Sequence, residues 1–468
     1  MVSKHKELVK NTIIMMAGKI FTQFLSFFLL PLYTHTLPAD AYGTVDLMMS
    51  YITLFVPVVT VQQEMATFRH LIDVRHDDAK KAEIVVTSFK STFLRLLLFI
   101  IPALLILLFV KWEYMYLALL CGSVVAISNL LLQIARGFGE NSKYTIGSVI
   151  AGVATLLFNL LFICVFHFGA ESILISATIA NLFCASYLFF SLRIAYCFVI
   201  AKPSRRARNQ MLKYSWPLVP NGISWWLINA SDRTIVSLFL GTAANGIYAV
   251  ANKIPSIISG FLSVFTLSWT ESASLHINDS DRDEFFSSVA SNTLRIFSSL
   301  GMLVIAFLPL VFDIIVGFEY YEAYNYIPIA IVAVIFHCMV SIYSAIYVAK
   351  KMSKKVASTS MFSAIINIVV DLMLVNFIGV YAAVISTAVA YFVMVVYRHF
   401  DVKKYVCVKY RFSDLVVAVL GIVGVSLIYY CGNFNWYIIG IAFALIYTLI
   451  QNRLFIWKIV AKITKGGR

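Results

Sequence analysis

"LPADAYG", residues 37–43, returns as "LGTAANG" at residues 240–246, a shift of 203 positions. The correspondence runs without a gap over 8–64 and 211–267, setting Lys10 on Lys213, Leu37 on Leu240, Ala41 on Ala244 and Gly43 on Gly246. A second echo pairs "FHFGAESILISATIA" (166–180) with "NFIGVYAAVISTAVA" (376–390), so that Gly169 meets Gly379, Ser176 meets Ser386 and Ala180 meets Ala390. Asn159 and Asn367 also correspond. Together these matches predict two copies of one structural unit in the same orientation. In membrane carriers such parallel repeats are related by an axis along the membrane normal, with the substrate cavity between the halves.

Composition says what the unit is made of. The 468 residues are 61% hydrophobic and only 13% charged, and the mean hydropathy is +0.86, far outside the balance of a soluble domain. Apolar runs of spanning length fall near 11–33, 43–64, 86–110, 113–135, 145–167, 171–196, 214–239, 246–271, 288–317, 325–349, 357–378, 380–399, 412–431 and 435–457. The expected fold is therefore an all-α polytopic membrane protein with about fourteen transmembrane helices. Two pseudo-symmetric six-helix lobes, 1–199 and 214–400, are joined by the basic linker 200–213, and a two-helix appendage occupies 401–468.

The net charge of +14 would suggest nucleic acid in a soluble protein. Here the basic residues sit in short loops. With the N-terminus in the cytoplasm, Lys4/Lys6/Lys10, Arg69/Arg75/Lys80/Lys81, Arg136/Lys143, the linker, Lys350/Lys351/Lys354/Lys355, Lys403/Lys404/Lys409/Arg411 and the C-terminal tail share one side. Lys111 alone falls outside. Such asymmetry reports orientation, with both termini cytoplasmic, and not a nucleic-acid partner. The acidic "HINDSDRDE" (276–284) is the one cytoplasmic loop against this trend. The basic "MVSKHKELVKNT" leads into a long apolar run without a small-residue cleavage site, so it reads as a retained first helix. The seven cysteines form no CxxC or Cys/His cluster, which points to neither a disulfide framework nor a zinc site. "THTLPADA", "GTAANG" and "GFEYYEAYN" are short outer loops without a Ser/His/Asp or paired-carboxylate arrangement, and no phosphate-cradling glycine loop occurs. A carrier is expected, not an enzyme.

Polar groups in spanning helices are costly against lipid and should face an interior path. In the second span Asp46, Ser50, Thr53, Pro57, Thr60 and Glu64 recur at steps of four and three, which places them on one helical face. Their counterparts in the eighth span are Ala249, Lys253, Ser256, Gly260, Ser263 and Leu267, widened by Asn252, Ser259, Thr266 and Thr270. Lys19, Gln23, Ser26, Leu30 and Tyr33 share a face of the first span, answered in the seventh by Gly222, Trp226, Asn229, Arg233 and Val236. The candidate substrate contacts are Lys19, Arg233 and Lys253, with Gln23, Asn229 and Asn252 beside them. These cations would attract an anionic group such as phosphate. The bland alternative is that Arg233 pairs a carboxylate to lock helices and Lys19 snorkels to the interface. Asp46, Glu64, Glu271 and Asp371 could bind a coupling H⁺ or Na⁺ or serve as salt-bridge partners. Asp232 points about 100° away from Arg233. Pro57 and Pro255 are candidate helix kinks, since proline removes a backbone hydrogen bond.

The stretches "FFLLPLYTHTLPADAYG" (27–43), "ASDRTIVSLFLGTAANGIYAVANKI" (230–254), "ARGFGENSKYT" (135–145) and the run 367–391 ending in "ISTAVAY" resemble the polysaccharide-export flippases of the multidrug/oligosaccharidyl-lipid/polysaccharide exporter superfamily. Bacterial O-antigen (Wzx-type) flippases fit best. The resemblance implies a two-lobe carrier in the bacterial cytoplasmic (inner) membrane. It would move an undecaprenyl-diphosphate-linked oligosaccharide of O-antigen, capsule or exopolysaccharide to the outer leaflet. It implies no cofactor, an H⁺ or Na⁺ gradient as energy source, membrane lipids and the polymerase and chain-length proteins of the pathway as partners, and a monomer. The alternatives are a lipid II-type or teichoic/teichuronic precursor flippase, then a drug/cation antiporter, which would be expected to hold its substrate with acidic residues. A passive scramblase would show no dependence on ion gradients.

Overall fold

The structure, a computed structural model, describes residues 25, 27–109, 113–432 and 434–453, with backbone alone at 229, 267, 353 and 412. Lys19, Gln23 and Lys111 lie outside the described residues, as does the side chain of Asn229. The described chain is helical and contains no strand. It separates into two compact units, Met1–Gly246 and Ile247–Arg468.

The first unit contains α1 (27–36), α2 (Ala39–Val59), α3 (Gln63–Asp73), α4 (Asp78–Leu107), α5 (Met115–Gly137), α6 (Asn141–Leu160), α7 (Glu171–Ser191), α8 (Ile194–Ile200), α9 (Arg205–Ser215) and α10 (Val219–Leu240). The unit boundary falls in the first turns of α11 (Thr242–His276). The second unit continues with α12 (Arg282–Ile315), α13 (Ile327–Ala349), α14 (Ser353–Ile378), α15 (Tyr381–Val402), α16 (Phe412–Tyr430) and α17 (Phe434–Gln451). Twelve described helices are long and apolar enough to cross a membrane. Of the remaining expected spans, the first lies largely outside the described residues. The seventh is α10, whose 22 residues are long enough but include Asn221, Asn229, Asp232 and Arg233.

α4 shows how the membrane shapes each unit. Its first turn is capped by Asp77, whose carboxylate accepts the Lys80 N–H at 3.0 Å, and this bond holds the Asp77 carboxyl below its usual range. The early part of α4 is buried through Ala82, Val85, Val86 and Ser88. It packs in a cluster with Leu130, Ile134, Leu188 and Met211. Beyond that, Phe93, Leu97, Leu98, Ile101, Leu104 and Leu105 are all exposed. An apolar face that long cannot stand in water and is the lipid-facing side.

The second expected span is not one helix. α2 stops at Val59, and Val61 (φ 55°) and Gln62 (φ 52°) take left-handed backbone conformations before α3 begins. That conformation is costly for a β-branched residue such as Val61. Pro57, two residues from the end of α2, cannot donate a backbone hydrogen bond. The break is clasped from α4, where Arg95 donates to the Thr60 carbonyl and, at 3.0 Å, to Gln63 Oε1. Glu64 therefore opens α3, and the single face expected from Asp46 to Glu64 is divided. Pro255, in contrast, lies inside a helix assigned without interruption over 35 residues.

The linker is also partly helical, since Ser204 caps α9 by accepting the Ala207 N–H at 3.3 Å. In the second unit α15 packs on α13 and α14, and α12 packs on α13, α16 and α17. Arg295 donates from Nη2 to both carboxylate oxygens of Asp414 (2.8 and 2.7 Å), joining α12 to α16.

Candidate functional site: the cavity between α2 and α10

The two glycines of the repeated motif touch. A Cβ on Gly43 would lie 1.9 Å from the Thr242 carbonyl oxygen, and one on Gly246 would lie 2.1 Å from that of Ala39. Ala39 and Thr242 are themselves related by the shift of 203. The contact is thus its own image under the repeat, and backbones approach this closely only where side chains are missing. Asn245 adds a hydrogen bond from Nδ2 to the Gly43 carbonyl at 2.7 Å.

Further along, α2 and α10 pack side by side and line a cavity of about 470 Å³. Arg233 reaches it from α10 and Asp46 from α2, with Nε and Oδ2 2.6 Å apart. Both side chains are mostly shielded, at 22% and 12% exposure. A charge in this setting is expensive unless paired. Ser50, Thr53, Gly222 and Trp226 complete the polar part of the wall. Trp226 donates from Nε1 to the Ser50 carbonyl at 2.9 Å and packs near the Tyr51 ring. Gly222 leaves room for Gln62, since a Cβ there would come 2.7 Å from Nε2. Asp232 is buried outside the wall.

Six of these wall residues, Asp46, Ser50, Thr53, Gly222, Trp226 and Arg233, lie on the two faces read from the sequence. The other expected contacts are elsewhere. Asn252 and Lys253 are half-buried on α11 in the second unit, and Asn252 donates to the Tyr248 carbonyl of its own helix at 3.0 Å. Glu64 accepts a hydrogen bond from Thr60 at 3.0 Å. Glu271 is exposed on α11. Asp371 is fully buried on α14, one turn beyond Asn367, whose amide donates to Ser386 and Thr387.

Arg95, Arg295 and Arg398, also inside apolar spans, lie off the repeated faces, the last almost fully buried among Thr359, Ser344 and Ser360. Their charge inside a span was the available signal. A cavity-facing ion pair is chemically able to exchange its carboxylate for another oxyanion, because a guanidinium binds either in the same fork geometry.

These features define a multi-pass α-helical membrane protein whose internal repeat meets itself at one glycine crossing beside a polar cavity. The chain belongs to the polysaccharide biosynthesis protein family, whose sequence model matches residues 8–269. Among solved structures it is similar to the lipid II flippase MurJ in an inward closed conformation, with TM-score 0.72, 17% identity, and 96% of this chain and 100% of that chain covered. It is also similar to an inward-facing multidrug resistance MATE family transporter of the MOP superfamily, with TM-score 0.67, 14% identity, and 84% and 98% covered. A MOP superfamily transporter from Pyrococcus furiosus, described by the reversed polarity of its binding pocket, gives TM-score 0.58 at 13% identity over 85% and 96%. No curated protein sequence matches. At these identities the structural likeness establishes the fold.

Proposed function

We propose that the protein is a flippase that carries an undecaprenyl-diphosphate-linked oligosaccharide, of O-antigen, capsule or exopolysaccharide type, from the cytoplasmic to the outer leaflet by alternating access. The observation that carries this reading is the Arg233–Asp46 pair on the wall of the α2–α10 cavity. A phosphate of the substrate competes with Asp46 for the guanidinium, so Arg233 is never left bare in a shielded site. The exchange costs less than pulling an unpaired charge through the same space. Trp225 and Trp226 offer flat apolar faces to the C–H side of a sugar ring. Lys19 is the proposed first contact and Lys253 the later one, as the lobes rock. Glu64, Glu271 and Asp371 are the candidates for coupling to an H⁺ or Na⁺ gradient. The inner membrane of a bacterium is the proposed location, and the polymerase and chain-length proteins of the pathway are the proposed partners.

The test is translocation of a polyprenyl-diphosphate-linked sugar in proteoliposomes. Arg233→Ala is expected to lower the rate about tenfold or more, the cost of one charge-assisted contact, with Arg233→Lys intermediate. An unchanged rate in a well-folded Arg233→Ala protein would refute the reading. Asp46 on the same wall favours one rival, a carrier of organic cations. That rival predicts Asp46-dependent export of a cation such as ethidium, which the flippase reading does not.

A further inference from the structure

A second cavity, of about 330 Å³, lies between α4 and the start of α9, on the side that the basic loops mark as cytoplasmic. Its wall includes Lys90, Arg205 and Arg208, the hydroxyls of Thr87, Ser91 and Ser204, and no Asp or Glu. Some other cations on this side are neutralised, although Lys202, Arg206 and Lys213 are in no ion pair among the described residues. Lys80, Lys81 and Lys143 each have an Asp or Glu within 4.0 Å. Lys90, Arg205 and Arg208 have no such partner among the described residues. Arg208 also stands close enough to Arg95 for the two charges to repel. Lys90, Arg205 and Arg208 are exposed, and three positive charges around one concavity with no carboxylate on its wall favour an anion there.

The local construction places the N-terminus of α9 beside this cavity. Thr87 accepts the Ser204 N–H at 2.9 Å, which ties the start of α9 to α4. The Ser204 side chain then satisfies the Ala207 N–H, leaving the N–H groups of Arg205 and Arg206 at the helix terminus outside the cap. The cavity also includes Leu94, at the edge of the exposed apolar face of α4, so a ligand here is at the level of the lipid headgroups. We propose that this cavity binds the phosphate group of an anionic lipid at the cytoplasmic surface, as a site separate from the α2–α10 cavity. The chemistry suits either a phosphodiester headgroup or a polyprenyl diphosphate. The site does not depend on the flippase reading. α9 continues through a short turn at Trp216–Leu218 into α10, so the bound phosphate sits on the segment that leads to Arg233.

The test compares two triple variants of the full chain in phosphatidylcholine nanodiscs. One is Lys90→Gln/Arg205→Gln/Arg208→Gln. The control is Lys202→Gln/Arg206→Gln/Lys213→Gln, which removes equal charge from exposed residues outside the cavity. Binding of phosphatidylglycerol, geranylgeranyl diphosphate and inorganic phosphate is measured by native mass spectrometry. The cavity variant is expected to lose about tenfold or more in affinity for at least one of the two lipids, with the control close to wild type. Selective loss of phosphatidylglycerol identifies a headgroup site, and selective loss of the diphosphate identifies a polyprenyl diphosphate site. Equal losses in both variants, no loss in either, or a loss confined to inorganic phosphate would overturn the proposal.

Discussion

α2 and α11 begin as the same structure and end as different ones. Both open on a small residue followed four positions later by a glycine, Ala39 to Gly43 and Thr242 to Gly246, and each glycine packs on the other helix's opening carbonyl. Beyond this crossing the copies diverge. α2 breaks at Thr60–Gln62, whereas α11 runs on through the corresponding positions to His276. The ion pair exists once. Asp46 and Arg233 correspond to Ala249 and Leu30, both buried and apolar. The repeat preserves the backbone contact at the glycine crossing, and the charged pair stands on one copy's register only.

Breaking the shared part of the comparison should have the largest effect. Gly43→Val puts a side chain where a carbonyl oxygen already lies, so the helices must separate at a cost of about 3 kcal/mol or more. Labelling of Tyr42→Cys by a membrane-impermeant maleimide should rise sharply in that background. Gly246→Val should act alike because the contact is symmetric, and unequal effects would argue against a true repeat contact.

Next comes the unshared pair. Asp46→Ala removes the carboxylate from beside Arg233 and should cost about 2 kcal/mol, seen as a lowered Tm, while Leu30→Ala and Ala249→Ser should affect no ion pair. Arg95→Gln removes the donor from the α2 break and should cost about 1 kcal/mol. Faster amide exchange at 60–66 would be its signature, with α11 unchanged. The smallest expected effect is a gain: Val61→Gly relieves the left-handed backbone and should stabilise by about 1 kcal/mol. A fall in Tm for Val61→Gly would mean that Val61 is not held in that conformation.

Much of this was legible from residue spacing. The shift of 203 singled out Gly43 and Gly246, and helical periodicity put Ser50 and Thr53 with Asp46, and Trp226 with Arg233. The break in α2 was not legible, because "TVQQE" carries no glycine and its polar spacing continues the helical face. What accompanies it is a tertiary contact from Arg95. Arg95 lies on α4, off the repeated faces, so the shift of 203 does not single it out. That Arg233 pairs a carboxylate is one of two readings the sequence leaves open, and nothing in the spacing names Asp46 as that carboxylate. Hydropathy and periodicity place each residue on its own helix, and only packing shows which helix lies opposite.

The central claim is that Arg233 is there to meet an anion and not merely to lock α10 to α2. The most direct test is the double variant Asp46→Asn/Arg233→Gln, which keeps side chains able to hydrogen-bond to each other but removes both charges. Its translocation of a polyprenyl-diphosphate-linked sugar would be measured in proteoliposomes, alongside its Tm. We predict a Tm near wild type with translocation reduced about tenfold or more. Translocation at the wild-type rate would contradict the account and leave the pair a structural lock.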